Sequence, residues 1–231
     1  MKLLAFDTST DQMSLAVQHG SAVFEHTSQG GAQASSTMIA AIEALMHRAD
    51  LTYKQLDAIV LGRGPGSFTG LRTACAVAQG LAFGAGIQVL PVDTLLAVAQ
   101  EARLLGAQQQ HILAALDARM GEVYADRYEF NSILCSVSAG YSLKKPQELA
   151  SSSPQTTLLA GNIRPILDAQ LSAEMLALPH LHCLPTARAL LALAPGLIKA
   201  GGLLDAEHAL PLYVRDKVAQ TTAERLAANL T

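Results

Sequence analysis

The 231-residue sequence has no tryptophan, 4% aromatic residues and only three cysteines. The cysteines, Cys75, Cys135 and Cys183, are far apart and lack C-x-x-C spacing, which argues against a disulfide framework or a zinc knuckle. Charged residues make up 15%, and the net charge of -3 leaves no broad basic surface for binding nucleic acid through its phosphates. The first residues, "MKLLAFDTST", hold too few apolar residues before Asp7 for the apolar region of a signal peptide, so none is expected, and no run approaches the roughly 18 apolar residues that a membrane span needs. We therefore expect a globular, cytoplasmic protein, and if nucleic acid matters to its function, we expect a partner to supply most of the contact.

The chain is 50% hydrophobic, enough for a large core, and its first half alternates strand and helix patterns. Three short apolar runs open the chain, and Gly20 with Ser21 forms a hairpin signal between the second and third. Helices are predicted over 35–49, 68–84 and 94–105, with strands between them. This βββαβαβα order predicts an α/β domain in which parallel strands extend a hairpin sheet.

A weaker copy of the same order begins with "HILAALDA" and "GEVYADRYEF", two strand patterns separated by "RMG". We therefore predict two related domains, 1–106 and a degenerate 107–231, whose last helix is expected to return to the first domain. The end of the chain from residue 214 is predicted to be an exposed helix or tail.

The most distinctive stretch is "GRGPGSFTGLR", which joins a strand to a helix. It lacks the lysine of a phosphate-binding Walker loop, and Ser67 replaces the third glycine of a dinucleotide-binding fingerprint. We interpret it as a tight structural connection in which Ser67 or Thr69 caps the following helix. The residues assigned to this structural loop, called the glycine loop below, are Gly62, Gly64, Pro65, Gly66, Ser67, Thr69 and Gly70.

The helix that follows is apolar nearly all the way round, a composition typical of a helix that is covered on every side. One face is a stripe of small residues at four-residue spacing, Gly70, Ala74, Ala78 and Ala82. Such a stripe allows another backbone to come close, which would justify the cost of a glycine inside a helix. The roughly opposite face carries Arg72, Ala76, Gln79 and Phe83. An exposed face of this kind suits a partner protein.

The preceding helix has an inward face and a second apolar side. Met38, Ile42 and Leu45 repeat at helical spacing, and Ser35 and Ser36 are predicted to cap the helix. On its other side, Ile39 and Met46 are expected to lie beside Glu43. The two helices together predict an exposed apolar patch for association.

Three stretches, "LAFDTST", "GRGPGSFTGLR" with "AQGLAFG", and "ALDARMGEVY", resemble the TsaB family, also called YeaZ. The resemblance covers essentially the whole chain in motif order and implies an actin-like, sugar-kinase-like and Hsp70-like fold of two related domains. It also implies a noncatalytic scaffold subunit in the synthesis of threonylcarbamoyladenosine in tRNA. The catalytic partner would be a TsaD-type subunit, which transfers the threonylcarbamoyl group to N6 of the adenosine 3′ of the anticodon. A TsaE-type ATPase would be a further partner, and tRNA would be reached through the complex.

In that family the helices before and after the glycine loop form the surface that binds TsaD and also supports self-association. Carried over to this sequence, the resemblance implies a partner interface formed by Ser36, Ile39, Glu43, Met46, Arg72, Ala76, Gln79 and Phe83. A homodimer is therefore an option for the isolated chain.

Individual residues argue against a catalytic site like that of the TsaD-type relative. The catalytic relative binds its metal through two histidines four residues apart, and none of the seven histidines here has another at that spacing, so no metal is expected. Asp7, Thr8, Ser9 and Asp117 are the candidates for a degenerate nucleotide cleft, with Thr8 where a glycine would admit phosphate. We expect no cofactor to be required by this chain and place ATP or ADP, as an option, at the interface of the complex.

A second hypothesis remains open, namely an ATP-dependent small-molecule kinase or ATPase of the same superfamily that uses Asp7 and Asp117 around magnesium. No Ser-His-Asp arrangement can be identified from the sequence, so a peptidase has only unplaced serines in its favour.

Overall fold

The computed structural model describes residues 1–31, 34–131, 134–137, 140–150 and 154–215. The exposed helix or tail predicted from residue 214 onward lies almost entirely outside the described residues.

The first half forms a five-stranded sheet in the order β3-β2-β1-β4-β5. Its strands are β1 (Lys2–Asp7), β2 (Gln12–His19), β3 (Ala22–Gln29), β4 (Ala58–Gly64) and β5 (Gln88–Asp93). The first three strands pair antiparallel, whereas β4 and β5 are added in parallel. Three helices connect or follow these strands, α1 (Ala34–Arg48), α2 (Phe68–Ala85) and α3 (Thr94–Leu104). The βββαβαβα order predicted from the sequence is confirmed, including the two-residue turn at Gly20 and Ser21.

The second half forms another sheet, in which β11-β10-β6-β7-β8 are neighbours and β9 also pairs with β7. Its strands are β6 (His111–Arg119), β7 (Glu122–Asn131), β8 (Leu134–Val137), β9 (Ser142–Lys144), β10 (Thr157–Gly161) and β11 (His180–His182). The helices of this half are α4 (Arg164–Leu167), α5 (Ala173–Ala177) and α6 (Ala187–Lys199). Read from β8 to β11, the sheet repeats the order of the first, with two antiparallel pairs followed by two parallel pairs.

The second half is reduced relative to the first. Where the first half has α1, residues 140–150 hold only the short strand β9 and one 3-10 turn. The four-residue α4 and five-residue α5 stand where the first half has the 18-residue α2. The predicted internal duplication is therefore visible in the strand order and in α6, which follows β11 as α3 follows β5, whereas α1 has no counterpart among the described residues and α2 is replaced by two short helices.

Three apolar clusters fill the spaces between these layers. The central cluster lies between the two sheets and includes α3 and α6, whose buried faces cover residues of both sheets. Helix α6 also lies against β1, β2 and β4, and the N–H of Ala187 donates to Ser14 Oγ at 2.9 Å. A second cluster joins the outer face of the first sheet to α1 and α2, and a third covers the outer face of the second sheet. The last described helix therefore packs against the first sheet.

The ends of the two outer helices show how local sequence sets their positions. Ser67 precedes α2, and its hydroxyl accepts the N–H of Gly70 at 3.4 Å, as predicted for a capping residue. Gly86 ends the helix in the left-handed region, with φ of 69°. The prediction that Ser35 and Ser36 cap α1 is wrong, because the helix begins at Ala34 and both serines lie within its first turn.

Candidate functional site

The glycine loop packs directly against the end of β1. A Cβ atom on Gly62 would lie 1.8 Å from Asp7 Oδ2, and one on Gly66 would lie 2.5 Å from the carbonyl oxygen of Ser9. A Cβ on Gly70 would lie 1.8 Å from the carbonyl oxygen of Thr8. Because all three distances are far below van der Waals contact, a side chain at Gly66 or Gly70 would require a backbone shift, and one at Gly62 would displace the carboxyl of Asp7. The loop is a close-packing device between β1, β4 and α2.

Hydrogen bonds hold the same two segments together. The N–H of Ser67 donates to the carbonyl of Ser9 at 2.7 Å, and the hydroxyl of Thr8 donates to the carbonyl of Gly70 at 2.7 Å. Pro65 follows a cis peptide bond. The small stripe predicted on α2 is buried against the sheet, so the backbone that approaches Gly70 belongs to this same chain.

Asp7 lies beneath this loop with 1% of its surface exposed. Its Oδ1 accepts hydrogen bonds from the N–H of Ser9 at 2.8 Å and the hydroxyl of Ser9 at 2.6 Å. Its Oδ2 is buried against Gly62 and has no hydrogen-bond partner. Burial raises the pKa of this carboxyl from 3.8 to about 6, although the two bonds from Ser9 act in the opposite direction. Asp7 is therefore a structural carboxyl.

A cleft of about 350 Å³ lies between the two halves of the chain. Ser9 and Ser67 line it from the first half, and Asp117 and Asn162 line it from the second. The sequence analysis predicts that Asp7, Thr8, Ser9 and Asp117 line one degenerate nucleotide cleft. The structure corrects this grouping, since Asp7 and Thr8 do not line the cavity and are covered by Gly62 and Gly70.

The charged groups at the mouth of the cleft already bind one another. Arg119 forms ion pairs with Asp117, at 3.4 Å, and with Asp11 of the opposite half, at 2.5 Å. The N–H of Arg119 donates to Asp117 Oδ1 at 2.9 Å, while Asn162 Oδ1 accepts the N–H of Asp117 at 2.9 Å. A phosphate at the end of β1 would find the N–H of Ser9 and the hydroxyl of Thr8 already engaged. The residues here do not fit a nucleotide bound in the manner of an actin-like ATPase.

The segment 205–215, here called the C-terminal segment, forms one wall of the cleft and continues across α2. The N–H of Leu212 donates to the carbonyl of Arg63 at 2.7 Å. Tyr213 packs against Phe68 with ring centroids 5.4 Å apart. Arg215 forms an ion pair with Glu122 and donates to the carbonyl of Ala118 at 3.2 Å. The C-terminal segment thus connects α2 with the β6–β7 turn of the other half.

The outer side of α1 and α2 forms the candidate docking face. Phe83 is 85% exposed and Ile39 is 40% exposed. The remaining exposed members of the face are Ser36, Glu43, Arg72, Ala76 and Gly80. Within this chain α2 is therefore not covered on every side, in contrast to the expectation from its composition. It presents a stripe that runs from Arg72 to Phe83.

The prediction that Met46 belongs to this exposed face is wrong. Met46 is only 4% exposed and belongs to the apolar cluster beneath α1. It lies four residues after Ile42, which is fully buried, so it continues the inward stripe of the helix. Gln79 is also partly covered, because its amide donates to the carbonyls of Glu207 and Ala209 at 3.4 and 3.3 Å.

Sequence reasoning missed the residues that the C-terminal segment contributes. Tyr213 and Arg215 lie 141 and 93 residues from Arg72 and Glu122, the side chains that they contact. No local sequence pattern predicts such pairs, because both depend on how the second half folds back over the first. Asn162, at the end of β10, was missed for the same reason.

The described ranges contain no group of three or more His, Cys, Asp or Glu residues placed to hold a metal ion. None of their helices has the length and apolar character that crossing a bilayer requires.

Comparison with known proteins gives consistent matches. The family model described as "TsaD: tRNA N6-adenosine threonylcarbamoyltransferase" matches residues 21–173. The tRNA threonylcarbamoyladenosine biosynthesis protein TsaB of Escherichia coli is 31% identical over 225 residues, covering 95% of this chain and 96% of that protein. The TsaB of Haemophilus influenzae is 40% identical over 124 residues, which span about half of each chain, 54% of this one and 52% of that one.

Among solved structures, YeaZ from Pseudomonas aeruginosa matches with a TM-score of 0.84 and 32% identity, over 92% of this chain and 99% of that one. The fold similarity extends through both sheets, so it supports the two-domain actin-like architecture as well as the motif resemblance. The chain belongs to the TsaB family, also named YeaZ, and has its actin-like α/β fold.

Proposed function

We propose that this protein is the noncatalytic scaffold subunit of the enzyme system that makes threonylcarbamoyladenosine in tRNA. It acts by docking the outer face of α1 and α2 against a TsaD-type catalytic subunit in the cytoplasm. A TsaE-type ATPase joins the same assembly, and tRNA is bound through the complex. The single observation that carries the docking proposal is Phe83, a large apolar side chain left 85% exposed on a regular helix.

The surroundings of Phe83 favour a helical partner. Ala76 and Gly80 lie on the same exposed side of α2, where their small size lets a second helix approach closely. Ile39 contributes an exposed apolar side chain from α1. Full burial of an exposed phenylalanine side chain contributes about 1.5–3 kcal/mol, so Phe83 can supply most of that amount and the 40% exposed Ile39 a smaller share. A face with large apolar residues and few charges is typical of the centre of an interface.

The cleft supports a structural role better than a catalytic one. Asp7 has no access to the cavity, and Asp117 is tied to Arg119. A kinase or ATPase of this superfamily would need both carboxylates near a bound metal and nucleotide. We therefore place ATP or ADP of the assembly at the junction of the two subunits. Magnesium ATP added to the isolated chain is expected to give neither micromolar binding nor turnover in calorimetry, and turnover would instead support the ATPase hypothesis.

The substitution Ala76→Arg tests the docking face. A long charged side chain at this exposed position should prevent a helix from closing on α2 while leaving the fold of the chain intact. The matched control is Ala192→Arg, which makes the same change at an exposed alanine on α6.

The two variants and the wild-type chain would be mixed with the purified TsaD-type subunit and separated by size-exclusion chromatography. Wild type and Ala192→Arg are expected to elute as a complex, and Ala76→Arg as separate proteins with an unchanged melting temperature. Elution of Ala76→Arg as a complex would reject this docking face.

A further inference from the structure

Arg72 is held in one orientation at the edge of the docking face by two aromatic side chains. Its guanidinium carbon lies 3.9 Å from the centroid of the Phe68 ring, one helical turn earlier on α2. Its Nε–H donates to the hydroxyl of Tyr213 at 2.9 Å. Stacking on one ring and a hydrogen bond to another fix both the plane and the direction of the guanidinium.

The support of Arg72 is itself anchored on both sides. On one side of Tyr213, the N–H of Leu212 donates to the carbonyl of Arg63 at 2.7 Å. On the other side, two positions after Tyr213, Arg215 forms an ion pair with Glu122. The Tyr213 ring also contacts Phe68, with centroids 5.4 Å apart. The C-terminal segment therefore presents its phenol at a fixed place beside α2.

The other edge of the guanidinium is available. The hydrogen bond to Tyr213 uses Nε, and the ion pairs formed within the described part of the chain leave Arg72 without an acidic partner. Nη1 and Nη2 are the two donors that bind a carboxylate through parallel hydrogen bonds. Such a bond gains from a guanidinium already held in place, because less side-chain entropy is lost on association.

We infer that Arg72, held by Phe68 and Tyr213, is a preset receptor for a carboxylate side chain of the partner subunit. The inference rests on the proposed docking face and adds the chemistry that it recognises. The carboxylate binds the Nη1–Nη2 edge at the rim of the apolar patch around Phe83. Phe68 and Tyr213 are positioning residues, since they act through Arg72.

The test measures the affinity of the full chain for the purified TsaD-type subunit by isothermal titration calorimetry. Arg72→Lys keeps the charge but loses the planar fork and the stacking, and is expected to weaken binding by about 10- to 100-fold. Tyr213→Phe keeps the ring and removes only the hydroxyl that fixes Nε, and is expected to weaken binding by about three- to tenfold. Arg188→Lys, at an exposed arginine on α6, is the matched control and should bind like wild type.

A charge exchange provides an additional readout that a merely structural role would not give. Arg72→Glu should abolish binding, and one carboxylate-to-arginine change in the partner should restore it. If Arg72→Lys and Tyr213→Phe both bind within twofold of wild type while Ala76→Arg does not bind, the carboxylate receptor is rejected and the docking face stands. If Ala76→Arg also binds normally, both the docking face and the receptor are rejected.

Discussion

The close approach of Gly70 to Thr8 makes the effect of adding one methyl group calculable. In Gly70→Ala the new Cβ would lie 1.8 Å from the carbonyl oxygen of Thr8 and 2.9 Å from its carbonyl carbon. Ordinary contact begins near 3.4 Å, so α2 or the end of β1 must move by well over an ångström. Both obstructing atoms are backbone, which cannot rotate away as a side chain would.

Three contributions set the size of this effect. Overpacking by one carbon in a rigid site costs about 1–3 kcal/mol, and backbone obstruction favours the upper end. Moving α2 away from Thr8 also weakens the 2.7 Å hydrogen bond from its hydroxyl to the Gly70 carbonyl, which costs about 1 kcal/mol. The higher helix propensity of alanine stabilises the folded state by about 1 kcal/mol and so offsets part of these losses. We therefore expect Gly70→Ala to lower the free energy of unfolding by about 3 kcal/mol.

Gly80→Ala is the matched control because it makes the same change on the same helix. A Cβ at Gly80 meets no atom within 4 Å, so only the gain in helix propensity applies, up to about 1 kcal/mol of stabilisation. Urea unfolding followed by circular dichroism would give both values. Equal stabilities for the two variants, or a Gly70→Ala variant as stable as wild type, would refute the role assigned to the glycine loop.

Two further predictions concern buried side chains. The pKa of Asp7 is higher in the folded state, about 6, than its ordinary 3.8, so its contribution to stability is present below pH 3.8 and is lost as the pH rises through about 6. The stability lost amounts to roughly 3 kcal/mol. The free energy of unfolding, measured at several pH values, should fall across this range in wild type and not in Asp7→Asn. Parallel curves for the two proteins would contradict the prediction. Met46→Ala should cost about 2–5 kcal/mol because its side chain is buried, whereas Ile39→Ala should change stability by under about 1 kcal/mol and weaken partner binding. The reverse ranking in thermal unfolding would restore Met46 to the docking face.

The order of elements could be predicted from the sequence because each depends on local pattern. Val60 and Leu61 lie in a run of apolar residues too short for a helix, and the four-residue spacing from Gly70 to Ala82 marks the face of α2 that packs on the sheet. The repetition of this order in the second half was readable from the strand patterns, which together with α6 preserve it.

Two parts of the candidate site could not be read in the same way. Met46 lies four residues after the buried Ile42 and seven after the exposed Ile39, so helical spacing places it at the border between the two faces of α1, and only packing against the sheet decides between them. Asp7 was grouped with Asp117 because both end equivalent strands. No local pattern indicates that Gly62 and Gly70 lie over Asp7 and Thr8 and exclude them from the cavity, which Ser9 and Asp117 line.

The most direct test of the central claim is reconstitution of the tRNA modification from purified subunits, with threonylcarbamoyladenosine measured by mass spectrometry of digested tRNA. The proposed docking role predicts full activity with the wild-type chain and with Ala192→Arg, and loss of activity when the chain is omitted or replaced by Ala76→Arg. Modification that proceeds equally well without this chain, or with Ala76→Arg in its place, would contradict it.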